Sequence, residues 1–257
     1  MTASTAVPTS DREYLIQGRR VTFPVVVRDA ASGAVTYLVP TGAVERLVRG
    51  RELEVIEVLP GQTLFSLAII DYRDNDLGDY NEVSLTFFAR PRGERPSVGI
   101  PYLGNVVDFF RSALPTFIWK LPVDQAFTCE AGAGIWGFPK TVERIELEDA
   151  GARRTCRLLM DHQHVLTVSV PRGGRRELPE QLLTTYSYVG GVLHRTRFVS
   201  GARGMSFTLG GADLILGTHP IADALRTLGL PKRALASVWM EHQHARFEAP
   251  EPVVRPG

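Results

Sequence analysis

Apolar and polar residues alternate along many short segments of the chain. Within residues 80–88, Val83, Leu85 and Phe87 alternate with polar side chains, the period of two that is typical of a strand with two unlike faces. Residues 64–70 instead form an almost continuous apolar run, which predicts a strand buried on both faces. Further short strands are expected at 20–28, 34–39, 117–122, 143–148, 153–170 and 236–247.

The period of about 3.6 residues is confined to three segments. Residues 41–48, 103–114 and 221–230 have this spacing, and Pro40, Pro115 and Pro231 stand at their boundaries. Residues 178–188 fit either a helix or a strand. Strands therefore outnumber helices and do not alternate regularly with them. The sequence predicts a β-rich α+β fold, an antiparallel barrel or sandwich with a few peripheral helices.

Chain length and composition limit the organisation and the partners. We expect one domain over residues 14–249, between flexible ends at 1–13 and 250–257, because strand-rich folds of this length are often single domains. A net charge of +1, without a basic cluster among aromatics, gives no support for nucleic-acid binding. The polar start and the short apolar runs predict a cytoplasmic protein with no membrane partner. Cys129 and Cys156 are expected to be reduced.

Lys140 is an unusual residue in this chain. The protein has three lysines and 26 arginines, and Lys140 follows the segment Trp136-Gly137-Phe138-Pro139. Only lysine can lose its proton near neutral pH and attack a carbonyl. For that purpose the pKa of a lysine, ordinarily ~10.4, would have to fall by roughly three or four units. Such a shift costs about 4–5 kcal/mol against the charged form. Spacing alone favours a solvated loop lysine instead.

Two motifs resemble the acetoacetate decarboxylase family. Residues 137–140 (Gly-Phe-Pro-Lys) resemble its Gly-aromatic-Pro-Lys segment, and residues 77–83 (Leu-Gly-Asp-Tyr-Asn-Glu-Val), about 60 positions upstream, resemble its Gly-x-Tyr-x-Glu segment. Residues 37–53 are similar to a Tyr, helix and Leu-Glu run of the family. The resemblance is patchy from about residue 20 to 250. Its order and spacing favour Lys140 as a nucleophile.

The resemblance implies a fold, a substrate class and roles for named residues. It implies the family's barrel or sandwich and a homo-oligomer that acts on a small keto acid without a cofactor or a metal. Lys140 matches the Schiff-base lysine, and Glu82 matches an acidic active-site residue. Arg28 is the nearest candidate for an arginine that contacts the substrate carboxylate. Substrate contacts are also expected from neighbouring residues of the two motifs, namely Tyr80, Trp136, Phe138 and Thr141.

Two departures from the family pattern bear on the reaction. Thr141 stands where the decarboxylases have a second lysine, and counting back from Glu82 places Leu67 where they have another glutamate. Without the adjacent cation, burial alone would have to lower the lysine pKa. Schiff-base chemistry is therefore expected either as decarboxylation or as the aldol condensation and dehydration of pyruvate-like keto acids that related members perform.

Two other functions stay open at the level of sequence. One is a metal-dependent enzyme using His162 and His164, which would share one face of a strand. The similar pair His242 and His244 is expected to face solvent, so a four-histidine site is not expected. The other is a non-catalytic small-molecule-binding barrel, for which Thr141 and Leu67 are the support.

Overall fold

A computed structural model of the chain describes residues 7–10, 13–48, 52–96, 99–100 and 102–253. Its helices are α1 (Thr41–Leu47), α2 (Leu103–Phe110), α3 (Ala126–Trp136) and α4 (Pro220–Thr227). Its strands are β1 (Val7–Ser10), β2 (Glu13–Ile16), β3 (Arg19–Thr22), β4 (Val25–Pro40), β5 (Leu53–Val55), β6 (Glu57–Leu59), β7 (Gln62–Asn75), β8 (Tyr80–Pro91), β9 (Thr116–Val123), β10 (Lys140–Val142), β11 (Arg144–Ala150), β12 (Arg153–Met160), β13 (Gln163–Pro171), β14 (Arg176–Val189), β15 (Val192–Leu209), β16 (Asp213–Leu216), β17 (Ala236–Phe247) and β18 (Glu251–Pro252).

Seven strands close into a barrel. They pair in the order β9-β14-β15-β17-β4-β7-β8, and β8 pairs again with β9. Six of these pairings are antiparallel, and the β14–β9 pairing is parallel. An odd number of strands cannot close with antiparallel pairs alone, so one parallel pair is a geometric necessity. The predicted β-rich α+β fold is confirmed.

The main apolar core lies between the barrel wall and a second sheet. The four-stranded sheet β11-β12-β13-β16 packs against the outer face of β4, β7 and β8. Because alternate residues of a strand face opposite sides, these barrel strands place one set of side chains in this core and the other set inside the barrel. The core set includes Phe65, Leu67, Ile69, Val83, Leu85 and Phe87, which pack with Cys156, Leu158, Val168 and Trp239.

Helices cover the two ends of the barrel. At the end where β8 begins, α3 packs with Tyr80, Leu121 and residues of β2 and β3 in a second apolar cluster. At the opposite end, α2 packs against Phe88, whose ring meets that of Phe109 edge to face at 5.9 Å. The barrel interior is therefore bounded at both ends, and a cavity remains between them.

The structure corrects several sequence expectations. The predicted helices at 41–48, 103–114 and 221–230 are found, with the second ending at Phe110. α3 was not predicted, because its small and apolar residues give it no clear amphipathic face. Residues 178–188 belong to strand β14, and the predicted strand at 34–39 is part of the 16-residue strand β4. Residues 64–70 were expected to be buried on both faces, but Ser66, Ala68 and Ile70 are only half-buried and line the cavity rather than a packed core.

Both chain ends that were expected to be flexible contribute strands. Val7–Ser10 forms β1, which pairs with β2, and Glu251–Pro252 forms β18, which pairs with β15. The remainder of the expected flexible ends, residues 1–6, 11–12 and 254–257, lies outside the described residues. Among the described helices, none has the length and apolar character needed to cross a bilayer. Cys129 and Cys156 are free thiols.

Candidate active site

A sharp turn after α3 brings Lys140 into the barrel. The helix ends at Gly137, whose φ of 65° is in the left-handed region that favours glycine. A Cβ at this position would also collide with the carbonyl oxygen of Tyr188. Phe138 and Pro139 then lead into β10, which pairs in parallel with β9 and fixes the direction of the Lys140 side chain. The glycine in the motif is therefore needed for the placement of the lysine.

The Lys140 amine forms an ion pair with Glu82 inside the barrel. The Nζ–Oε2 distance is 2.9 Å, and the two side chains are 4% and 6% exposed. Nζ also donates a hydrogen bond to Thr128 Oγ1 at 3.1 Å, and it lies 3.5 Å from the Tyr80 hydroxyl. The two residues that the motifs single out, 58 positions apart in sequence, thus share one hydrogen-bond network.

Tyr72 belongs to the same network. Its hydroxyl donates to the second carboxylate oxygen of Glu82 at 3.3 Å, and its ring stacks on that of Tyr80 with centroids 4.4 Å apart. Tyr72 and Tyr80 are direct partners across β7 and β8. The sequence pattern did not predict Tyr72 as a site residue, because the expected strand at 64–70 stops before it. Thr128 was missed with the rest of α3.

The charge state of Lys140 differs from the sequence expectation. Burial acts to lower the pKa of Lys140, but the nearby Glu82 carboxylate and the Tyr80 hydroxyl raise it by more, so that the pKa is above its ordinary value. Burial and the proximity of Glu82 raise the pKa of Tyr72, and burial raises the pKa of Tyr80. The resting site therefore contains an ammonium, a carboxylate and two neutral phenols. The expected lowered lysine pKa is wrong for this resting state.

Lys140 and Glu82 lie in the wall of a cavity of about 330 Å³ inside the barrel. Five residues of the predicted site line it, namely Lys140, Glu82, Tyr80, Trp136 and Phe138. Ser84 and Thr86 line it as well, so the polar face of β8 is the cavity face and not a solvated one. The rest of the lining is mainly apolar.

Arg28 lies away from this cavity. Its guanidinium is bound to Asp74 at 2.8 Å and to Asp76 at 2.7 Å, and its side chain is 48% exposed. Val25 and Val27 of the same strand line the cavity, and the alternation of strand residues turns Arg28 to the other side. Two carboxylates already neutralise this cation. The expected contact of Arg28 with a substrate carboxylate beside Lys140 is therefore not supported by its position.

The two positions that depart from the family pattern also lie outside the cavity wall. Thr141 is exposed, and Leu67 is buried in the main core. Since Leu67 faces the core, the residues of β7 that look into the cavity are its neighbours Ser66 and Ala68. Neither is a carboxylate, so Glu82 is the one acidic group among the described residues that line the cavity.

The histidine pairs do not form the arrangement that a metal site needs. His162 lies in the turn before β13, at φ 60°, so it does not share a strand face with His164 as expected. His164 bonds to Thr167, whereas His242 contacts Asp29 and His244 contacts Glu180. Within the described part of the chain, no three His, Cys, Asp or Glu residues come together as metal ligands.

Gly132 of α3 gives the lysine side chain its space. A Cβ at this position would lie 2.6 Å from Lys140 Cδ and 2.7 Å from Cε. We expect Gly132→Ala to displace the amine and to slow its reaction with a carbonyl compound by about 100-fold. Borohydride trapping on Lys140 measures this. Gly42→Ala in α1, where a Cβ meets nothing within 4 Å, is the control. An unchanged trapping rate in Gly132→Ala would contradict the role assigned to this glycine.

The fold and the site together define a class of strand-rich barrel proteins in which a buried lysine–carboxylate pair lies in a mainly apolar cavity. A model of the acetoacetate decarboxylase family, described as "Acetoacetate decarboxylase (ADC)", matches residues 18–250. The chain belongs to this family. A search of curated protein sequences found no match.

Solved structures share the fold at low sequence identity. An acetoacetate decarboxylase from Legionella pneumophila is 15% identical, with a TM-score of 0.64, over 98% of this chain and 94% of that one. The enduracididine biosynthesis enzyme MppR, complexed with pyruvate, is 15% identical, with a TM-score of 0.59, over 90% and 91%. An acetoacetate decarboxylase-like enzyme from Sphingomonas wittichii is 14% identical, with a TM-score of 0.56, over 92% and 96%.

Proposed function

We propose that this protein is a lyase that forms a Schiff base between Lys140 and the carbonyl carbon of a small keto acid, without a cofactor. The observation that carries the proposal is the ion pair of 2.9 Å between Lys140 Nζ and Glu82, buried in the wall of the barrel cavity. A buried ionisable pair in a cavity is typical of a reaction centre. Family membership and the pyruvate complex of MppR support a carbonyl substrate.

Glu82 takes part in the first step of the proposed mechanism. Because Lys140 rests as an ammonium, it must give up a proton before it can attack a carbonyl. Glu82 is within hydrogen-bond distance and accepts that proton, which leaves a neutral amine and a neutral carboxylic acid. The amine adds to the carbonyl carbon, and one of its protons moves to the carbonyl oxygen to give the carbinolamine. Glu82 then returns the proton to the carbinolamine hydroxyl, which leaves as water and forms the iminium.

The iminium accepts electrons in the second step. Loss of CO₂ from a β-keto acid would send the electron pair of the broken C–C bond to the iminium nitrogen and form an enamine. Loss of an α-proton forms an enamine in the same way, which can attack an aldehyde and then lose water. The Tyr80 and Tyr72 hydroxyls lie beside the reacting nitrogen and Glu82, where they can donate to developing negative charge.

Trapping of the iminium tests the proposal. The protein is incubated with acetoacetate or pyruvate, reduced with borohydride and digested, and the adduct is located by mass spectrometry. We expect the adduct on Lys140 and not on Lys120 or Lys232. Lys232 is the stricter internal control, because partial burial lowers the pKa of its amine. Equal modification of all three lysines, or of none, would refute the proposed Schiff-base lysine.

A non-catalytic binding barrel is the second candidate. The raised pKa of Lys140 favours it, since an amine that stays protonated does not attack a carbonyl, while the mainly apolar cavity can still bind a ligand. This function predicts that Lys140→Ala still binds a carbonyl ligand and that the wild-type protein gives no adduct and no turnover. The trapping experiment therefore separates the two candidates.

Assembly and location are further parts of the proposal. We propose a homo-oligomer, because large apolar side chains such as Phe110, Leu209 and Ile215 are exposed on the described surface. A cytoplasmic location is supported by the two free thiols. Light scattering of the purified protein measures its oligomeric state.

A further inference from the structure

The cavity extends well beyond the Lys140–Glu82 pair. Along β8, the side chains that face it run from Tyr80 through Glu82 and Ser84 to Phe88. Glu82 and Phe88 are six residues apart, which corresponds to about 20 Å of extended strand. The ion pair therefore occupies one end of an elongated space, and Phe88, covered by α2, closes the other.

The volume exceeds what a three- or four-carbon keto acid requires. An apolar protein cavity of about 150 Å³ holds benzene, and this cavity measures about 330 Å³. It reaches the lower part of the range of about 300–1,000 Å³ that is typical of pockets for drug-sized ligands. A small keto acid bound to Lys140 would leave much of the space between Glu82 and Phe88 unfilled.

The far part of the cavity carries no charge. Of the described residues that line the cavity, Lys140 and Glu82 are the ionised ones, and they neutralise each other. Beyond them the polar groups are hydroxyls, of which Ser84 and Thr86 bond to each other at 2.8 Å. Thr116 and Thr185 donate to main-chain carbonyls. The lining also includes the neutral amides Asn75 and Gln243. The remaining side chains of the far part are apolar, among them Phe88, Ile118, Leu183 and Phe198.

A negative charge in this far part would be strongly disfavoured. Burial of an ionised carboxylate without a cationic partner costs several kcal/mol or more, whereas burial of methylene groups is favourable. The described lining offers Lys140 as its one cation, and the proposed reaction uses that group as the nucleophile. A carboxylate can therefore lie only beside the reacting nitrogen, and the rest of the substrate must be neutral.

We propose that the substrate is a carbonyl compound with an uncharged, mainly hydrocarbon chain that extends from Lys140 past Ser84 and Thr86 towards Phe88. This inference rests on the proposed function, and it narrows the substrate class from small keto acids to 3-oxo acids with a medium-length chain. Glu82 and Lys140 react with the carbonyl end, and the side chains at positions 68, 84 and 88 set the accepted chain length.

A homologous series tests the inference. Borohydride trapping on Lys140 is measured with 3-oxobutanoate, 3-oxohexanoate and 3-oxooctanoate, and with 2-butanone and 2-octanone. We expect the concentration for half-maximal trapping to fall by about fourfold for each added CH₂ group that becomes buried. A concentration that is constant or rises with chain length would overturn the inference, while adducts with the short compounds would still support the proposed function.

Substitutions that fill part of the cavity test where the hydrocarbon chain of the substrate lies. Ala68 of β7 and Ser84 of β8 are cross-strand neighbours, and both line the cavity. We expect Ala68→Leu and, independently, Ser84→Leu to remove the preference for 3-oxooctanoate, so that within each variant 3-oxooctanoate and 3-oxobutanoate reach half-maximal trapping at similar concentrations. Leu182→Ala is the control, because Leu182 is exposed and lies next to the cavity residue Leu183. A preference that persists in both filled variants would contradict the assigned chain position.

A non-reactive ligand separates the inference from the chemistry. 2-Octanol has the expected chain but no carbonyl, so its binding, measured by calorimetry, does not need a nucleophile. We expect it to bind at least about tenfold more tightly to the wild-type protein than to Ala68→Leu. Octanol binding without any adduct would refute the Schiff base and retain the apolar chain site. Adducts without chain-dependent binding would retain the Schiff base and refute the apolar chain site.

Discussion

Replacement of Lys140 by methionine is expected to lower the free energy of unfolding by about 3–5 kcal/mol at neutral pH. Methionine fills similar space, so the loss comes mainly from electrostatics. The side chain of Glu82 is almost fully buried, and without the ammonium its carboxylate keeps only neutral hydrogen-bond partners such as Tyr72. The variant is also expected to give no borohydride adduct, which distinguishes it from a variant that is only destabilised.

The cost in Lys140→Met should depend on pH in a defined direction. A buried glutamate side chain without a cationic partner is accommodated more easily as the neutral acid than as the carboxylate, and an unfolded glutamate titrates at about 4.3. Such a carboxyl destabilises the folded state above the unfolded pKa and not below it. Urea denaturation should therefore show a deficit at pH 7 that shrinks towards pH 4. A deficit of equal size at both pH values would indicate lost packing rather than an unpaired charge.

A second substitution, at Glu82, tests whether the stability lost in Lys140→Met comes from the unpaired carboxylate. In Lys140→Met/Glu82→Gln neither charge remains, so we expect the double variant to recover most of the lost stability. Arg28→Met is the matched control, because Arg28 also pairs with carboxylates but is about half exposed. Its loss of stability should be much smaller than that of Lys140→Met, because solvent screens an exposed ion pair. A double variant no more stable than Lys140→Met would contradict the electrostatic explanation.

Sequence patterns predicted the strand-rich fold, because alternation reports which face of a strand is buried. They did not reveal what lies against the polar face. Glu82, Ser84 and Thr86 have the same pattern whether that face meets solvent or a cavity, and the resemblance to the family was needed to favour the cavity. The polar face of β8 meets a cavity because β8 pairs with β9 and closes the barrel. A local sequence pattern does not report that pairing.

The residues that the sequence did not predict lie near Lys140 through tertiary structure alone. Tyr72 reaches Glu82 because β7 continues to Asn75 and pairs with β8 in a register that opposes Tyr72 and Tyr80. Thr128 and Gly132 are near the amine because α3 packs against the end of the barrel. The charge state of Lys140 depends on these neighbours and on Glu82. It could not be inferred from the motif, which shows the apolar neighbours of the lysine and not its carboxylate.

Glu82→Gln is expected to have opposite effects on two steps of the reaction. The Glu82 carboxylate is the main reason that the pKa of Lys140 is raised, and without it burial acts to lower that pKa. The amine then loses its proton at a lower pH. The midpoint of the pH dependence of iminium formation, measured by rapid mixing with acetoacetate and borohydride quench over a pH series, should therefore lie lower than in the wild type.

Turnover by the same variant should fall. Glutamine cannot accept the lysine proton or return it to the carbinolamine hydroxyl, and loss of a positioned acid–base group reduces the rate by about 10²–10⁴-fold. Glu143→Gln is the control, since Glu143 follows the lysine by three residues but does not line the cavity. If the pH dependence of trapping in Glu82→Gln matches that of the wild type, Glu82 does not govern the proton on Lys140. The proposed first step would then be wrong, even with Lys140 as the nucleophile.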